Sequence, residues 1–74
     1  MVEKMNLQDA ILNECRKDKV GVTVFLMNGV QMHGNIVGFD EYVVVVWTEG
    51  RQKMVFKHAI STIIPDKKLT CVKS

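Results

Sequence analysis

Residues 42–48 read "YVVVVWT", and no other stretch limits the possible folds of this chain so sharply. Valine, tyrosine and tryptophan favour strands, and apolar side chains on successive residues point to both faces of a strand, so both faces need a cover. In a chain of 74 residues there is little to supply it. A domain this short buries a small fraction of its surface, and its core alone gives a few kcal/mol at most. The second cover is therefore expected from another subunit. Disulfides are a poor substitute, because Cys15 and Cys71 are the only cysteines and have no framework spacing. Zinc is no better, since Cys15, His33, His58 and Cys71 stand singly, without a CxxC or HxxxH pair.

Around that strand the periodicity divides the chain cleanly. Residues 6–18, "NLQDAILNECRKD", read as a helix. Asn6 can cap it, Asp9 holds the capping-box position, and Leu7, Ala10, Ile11 and Cys15 form one apolar stripe opposite Gln8, Asn13, Arg16 and Lys17. From Val20 the pattern is that of strands. "VGVTVFLM" ends at Asn28-Gly29, a hairpin signal that predicts a type I′ turn. A second strand over 30–39 is interrupted by Gly34 and Gly38, which predicts a bend or bulge. Glu49-Gly50 then turns the chain into "RQKMVFKH", where Met54 and Phe56 alternate with polar neighbours, and "AISTII" closes the set before Pro65. The expected architecture is mostly β, with one N-terminal helix and a five-stranded bent barrel over residues 1–65. Residues 66–74 are expected to be a short, polar, mobile tail.

Charge excludes little: ten Lys and Arg against eight Asp and Glu leave a net +2. Arg16, Lys17 and Lys19 crowd one short stretch, which either complements the helix dipole or forms a basic patch. No apolar run approaches a membrane span and no signal pattern precedes the helix, so the chain reads as soluble and cytoplasmic, with no membrane partner. Catalysis is disfavoured. His58 has a lysine beside it and no third partner, and Asp40 and Glu41 are adjacent instead of converging on a cleft. A binding module remains, and one form of it is a monomeric SH3-like peptide adaptor, for which one Trp and one Tyr make a thin aromatic groove.

The segments "LQD" in the helix, "VFLMNG" at the first hairpin, "GFD" at 38–40 and "KHAIST" at 57–62 resemble the bacterial Sm-like RNA chaperone family Hfq, from about Asn6 to Pro65. The last segment is the most specific. The resemblance implies an Sm-like barrel in a homohexameric ring, joined by main-chain pairing of the fourth strand with the fifth strand of the next subunit. It also implies single-stranded RNA as partner, small regulatory RNAs and mRNAs included, with no cofactor and no metal.

Site residues follow from the same resemblance. A proximal face would take uridine-rich RNA through Gln8, Tyr42, Lys57 and His58, with Phe56 packed inward as support and Glu41 nearby. A distal face would take purine-rich RNA, with Phe25 as stacking ring, Leu26, Val30 and Met32 as apolar pocket, and Asn28, Gly29, His33, Lys53, Ser61 and Thr62 around it. A rim of Asn13, Arg16, Lys17 and Lys19 would promote annealing by screening two strands, weakly, because Asp18 interrupts it. By residue type alone, Phe25 reads sooner as a core aromatic, and Lys57 and His58 as a solvated strand end; only the surrounding motif turns them toward RNA. Lys53 stands where the family reads adenine with glutamine, and Gln52 beside it faces the other way by alternation. Purine preference without the full adenine code is the expectation.

Overall fold

The computed structural model describes residues 7–70, so the expected cap at Asn6 and the cysteine at position 71 lie outside the described residues. Helix α1 (Leu7–Lys17) carries Asp9 in its first turn and Arg16 and Lys17 in its last, the arrangement that suits its dipole. Its buried residues are Leu12 and Cys15, with Ile11 packed beside them. Leu7, expected in the buried stripe, is exposed instead. The helix is rolled so that Leu12 takes that place.

Five strands follow: β1 (Gly21–Leu26), β2 (Gln31–Phe39), β3 (Val43–Thr48), β4 (Arg51–Phe56) and β5 (Ile60–Pro65), with a 3-10 turn at Lys57–Ala59 between the last two. They form one antiparallel sheet in the order β4-β3-β2-β1-β5. The final two strands in sequence are thus the two open edges. Between β2 and β3 the register skips from Ile36 to Gly38, a bulge that bends the long second strand. Gly34 serves a different purpose: a Cβ there would collide with the Trp47 carbonyl oxygen, so only glycine lets β3 cross so closely.

Both hairpins turn where the sequence suggests, but the first is of another type. At the first, Gly29 N–H donates to Leu26 O (3.0 Å) and Leu26 N–H donates to Val30 O (2.7 Å), closing a three-residue loop. Only Gly29 has positive φ (91°), so this is a type I turn with a glycine bulge and not the expected type I′. The two consecutive positive φ values of a type I′ turn occur at Glu49 (54°) and Gly50 (78°), between the paired Thr48 and Arg51.

The core is aliphatic: Val22, Val24, Ile36, Val44 and Val46 from the sheet meet Leu12, Cys15, Val20 and Leu69. Thr48, buried among them, donates its hydroxyl to His33 O (2.7 Å). Leu69, assigned by composition to the polar tail, is 5 % exposed, and Thr70 after it donates its N–H and hydroxyl to Glu14 Oε2 (2.8 and 3.1 Å). Within the chain β3 is covered on one face only. Val44, Val46 and Thr48 are buried, whereas Trp47 is exposed and Val43 and Val45 are half-buried. The β3–β4 register pairs Val44 with Val55, so Val55 is buried, and its neighbours Met54 and Phe56 turn outward, against the expected inward Phe56.

Candidate nucleic-acid interface

Phe56, Lys57 and His58 stand where β4 runs into the 3-10 turn, and each does something different. Lys57 Nζ donates to Asp9 Oδ1 at 2.8 Å, with side chains only 12 % and 29 % exposed. The same ammonium lies 5.5 Å from the centre of the Phe39 ring, a cation–π distance. Lys57 is therefore an anchor that ties the turn to the first turn of α1. His58 is exposed and stacks on Phe56, with ring centroids 5.9 Å apart and planes 23° from parallel. Phe56 itself is 51 % exposed, so the pair offers an aromatic surface to solvent.

The loop between β2 and β3 is held against this turn. Lys57 N–H donates to Tyr42 O (2.8 Å). Asp40 Oδ1 accepts the backbone N–H groups of Tyr42 (2.7 Å) and Val43 (2.9 Å), a tight side-chain turn that leaves Glu41 and Tyr42 at its tip, both exposed. Those two hydrogen bonds, Tyr42 first, hold the Asp40 carboxyl below the usual carboxylate range, and the Lys57 charge adds to them. Tyr42, Phe56 and His58 are thus three exposed rings carried by backbone that Asp9, Asp40 and Lys57 lock in place. The roles of Asp9 and Phe39 here are not legible in the sequence, since a capping-box pattern is local and this ion pair joins residues 48 apart.

The residues expected on the opposite face are only partly gathered. Val30, Met32, His33 and Lys53 line one open groove of about 590 Å³ together with Thr23, Gln31, Thr48 and Glu49. Lys53 Nζ lies 3.8 Å from Glu49 Oε1, and His33 Nε2 lies 2.9 Å from Asp66 Oδ2, all four side chains being well exposed. Phe25 is half-buried in a cross-strand row with Gln31 and Thr62, outside the core. Leu26 and Met32 pack against the core. Asn28 and Gly29 are exposed at the hairpin tip, where Asn28 Oδ1 accepts Val30 N–H (3.1 Å). Ser61 and Thr62 line a separate cleft of about 300 Å³ between α1 and β5, and Gln8 lines it with them. Lys53 pairs with inward Val46 and Gln52 with outward Trp47, so the two do face opposite ways.

On the flank, Arg16, Lys17 and Lys19 are exposed, and the Arg16 guanidinium donates to Asn13 Oδ1 at 2.6 Å. Among the described residues, no group of three or more His, Cys, Asp or Glu could hold a metal ion, and no helix is long and apolar enough to cross a membrane.

Comparison with known proteins agrees with the fold. A curated relative named RNA-binding protein Hfq from Carboxydothermus hydrogenoformans is 56 % identical over 64 residues, covering 86 % of this chain and 75 % of the relative. Another of the same name from Shouchella clausii is 54 % identical over 67 residues, covering 90 % and 87 %. The crystal structure of the pleiotropic translational regulator Hfq superposes with a TM-score of 0.78 at 44 % identity, covering 80 % of this chain and 98 % of that one. The family model described as Hfq protein matches residues 7–70. With one helix, five antiparallel strands in a bent sheet, and this extent of identity, the chain belongs to the Hfq family.

Proposed function

We propose that this chain is the subunit of a cytoplasmic RNA chaperone, a non-enzymatic protein that binds single-stranded RNA on two opposite surfaces and promotes pairing between small regulatory RNAs and mRNAs. The observation that carries this reading is the cluster at residues 56–58. Single-stranded RNA is held by stacking its bases on rings and by cations along its backbone, and Tyr42, Phe56 and His58 are exposed rings on a rigid support. Uridine-rich RNA is assigned to that surface. Purine-rich RNA is assigned to the side of Phe25 and of the groove lined by Val30, Met32, His33 and Lys53. The names of the curated relatives, RNA-binding protein Hfq, support the choice of RNA.

Six subunits in a ring complete the proposal. Strands β4 and β5 are the open edges of the sheet, and Met54 and Ile64 expose apolar side chains on them. Head-to-tail pairing of β4 with the next β5 removes both edges in a closed ring and adds burial that a short chain lacks. Labelled uridine-rich and adenine-rich oligonucleotides, titrated singly and in competition, test the two surfaces. Independent saturation supports them, whereas mutual displacement on an intact ring replaces them with one shared site.

A further inference from the structure

We propose that Trp47 is a base-stacking platform for single-stranded RNA on the flank of the subunit, with Arg16 and Lys19 holding the phosphates beside it. The idea rests on the RNA-binding reading above and adds to the rim a ring that the basic residues alone do not provide. Trp47 lies on the outward face of β3 and is 46 % exposed. It lines an open cleft of about 470 Å³ with Arg16, Lys19, Asn35, Ile36 and Val37.

Three features make this cleft a nucleotide site in preference to a protein contact. Its charged lining is cationic only, Arg16 and Lys19, so an apolar partner would desolvate two charges without compensation, while a phosphodiester would neutralise them. The indole is the largest aromatic face a protein offers, and stacking on it accepts any base. The platform is also rigid. The Trp47 backbone is paired with Asn35 and packed so closely over Gly34 that no Cβ fits there. The Asn35 amide also donates to Lys19 O (3.4 Å), tying the turn that carries one cation to the strand beside the ring.

The chain has a single tryptophan, so its emission reports this site alone. Uridine-rich and adenine-rich oligonucleotides are titrated into the assembled protein while anisotropy follows binding and indole emission follows Trp47. Saturable quenching by either RNA is expected, with Trp47→Phe binding nearly as well and Trp47→Leu about fivefold or more weaker at the flank. Arg16→Ala and Lys19→Ala should lower the affinity read by quenching and flatten its salt dependence. Anisotropy that saturates with indole emission unchanged overturns the inference and leaves the RNA-binding reading standing. No binding by anisotropy overturns both. Poor acrylamide quenching of Trp47 in the assembly, with dissociation on Trp47→Leu, identifies a subunit contact and also overturns it.

Discussion

Lys53 in edge strand β4 and Lys57 in the 3-10 turn after it stand four residues apart and meet carboxylates in opposite ways. Lys53 reaches Glu49 across its own hairpin at 3.8 Å, with side chains 39 % and 80 % exposed. Lys57 reaches Asp9 on the helix at 2.8 Å, largely shielded from solvent and backed by the Phe39 ring. An exposed pair of the first kind contributes at most about 1 kcal/mol and is screened by salt. The second kind fixes two distant segments together. Removing one partner there strands the other's charge, at a cost of about 1.5–3 kcal/mol for a charged hydrogen bond. The Lys53 ammonium is thus loosely held in solvent, whereas the Lys57 ammonium is committed to a shielded contact between the turn and α1.

The largest expected effect breaks the second half of that comparison. Lys57→Ala should lower unfolding stability by about 2 kcal/mol and weaken uridine-rich RNA roughly tenfold, because the turn carrying Phe56 and His58 loses its hold on α1. Lys53→Ala should stay within about 0.5 kcal/mol of the parent in urea denaturation. Asp9→Asn decides what Lys57 does. As an anchor, Lys57 needs its partner, so Asp9→Asn should weaken uridine-rich binding too. Should Asp9→Asn bind uridine-rich RNA as tightly as the parent while Lys57→Ala does not, the ammonium itself touches RNA.

Next in size is Phe25→Ala, which tests the more open surface. Phe25 is half-buried and outside the core, so stability should fall by less than for a core aromatic, for which about 3–5 kcal/mol is usual. Purine-rich affinity should fall by about 1–3 kcal/mol if a base stacks there, with uridine-rich affinity unchanged in the same titrations. A large stability loss without a change in RNA affinity would return Phe25 to the role of a packing residue.

A smaller effect is expected at Glu41, exposed beside Tyr42 at the tip of the Asp40 turn. Contact between exposed charges is worth about 1 kcal/mol in water and less in salt. Glu41→Gln should tighten uridine-rich RNA at low ionic strength, steepen its salt dependence, and leave purine-rich RNA alone. Equal affinities at low salt would show that Glu41 points away from the phosphates.

How much of this was legible follows element by element. Period and punctuation located the helix, all five strands and both turns, because those signals are local. Whatever depended on register was not. Asn28-Gly29 did not form the expected type I′ turn because loop length, set by the pairing of Leu26 with Val30, decides which turn fits. Phe56 and Met54 turned outward because Val44 claimed Val55, and a one-residue shift reverses every side chain of a strand. Leu69 looked like tail, and Asp9 looked like a cap, because their partners lie far away in sequence. The rings of the candidate site were visible by type and motif. The charges that lock them were not.

The smallest effect is a dependence on pH at the Asp40 turn. Its carboxyl is held below the ordinary value of 3.8 by the N–H groups of Tyr42 and Val43, with Lys57 adding to them. A depressed folded value means that the ionised form stabilises the native turn. That contribution is fully present above the unfolded value and is lost as pH falls through the lower folded one. The turn that carries Tyr42 should therefore hold its conformation from neutral pH to about 5 and loosen only in stronger acid, read from the Tyr42 and Val43 amides. Asp40→Asn supplies the control, since an amide oxygen still accepts both N–H groups but carries no titrating charge. In that variant, chemical shifts of the Tyr42 and Val43 amides should lose most of the movement they show in acid. Undiminished movement would assign the titration to another carboxylate, with Glu41 the first to replace.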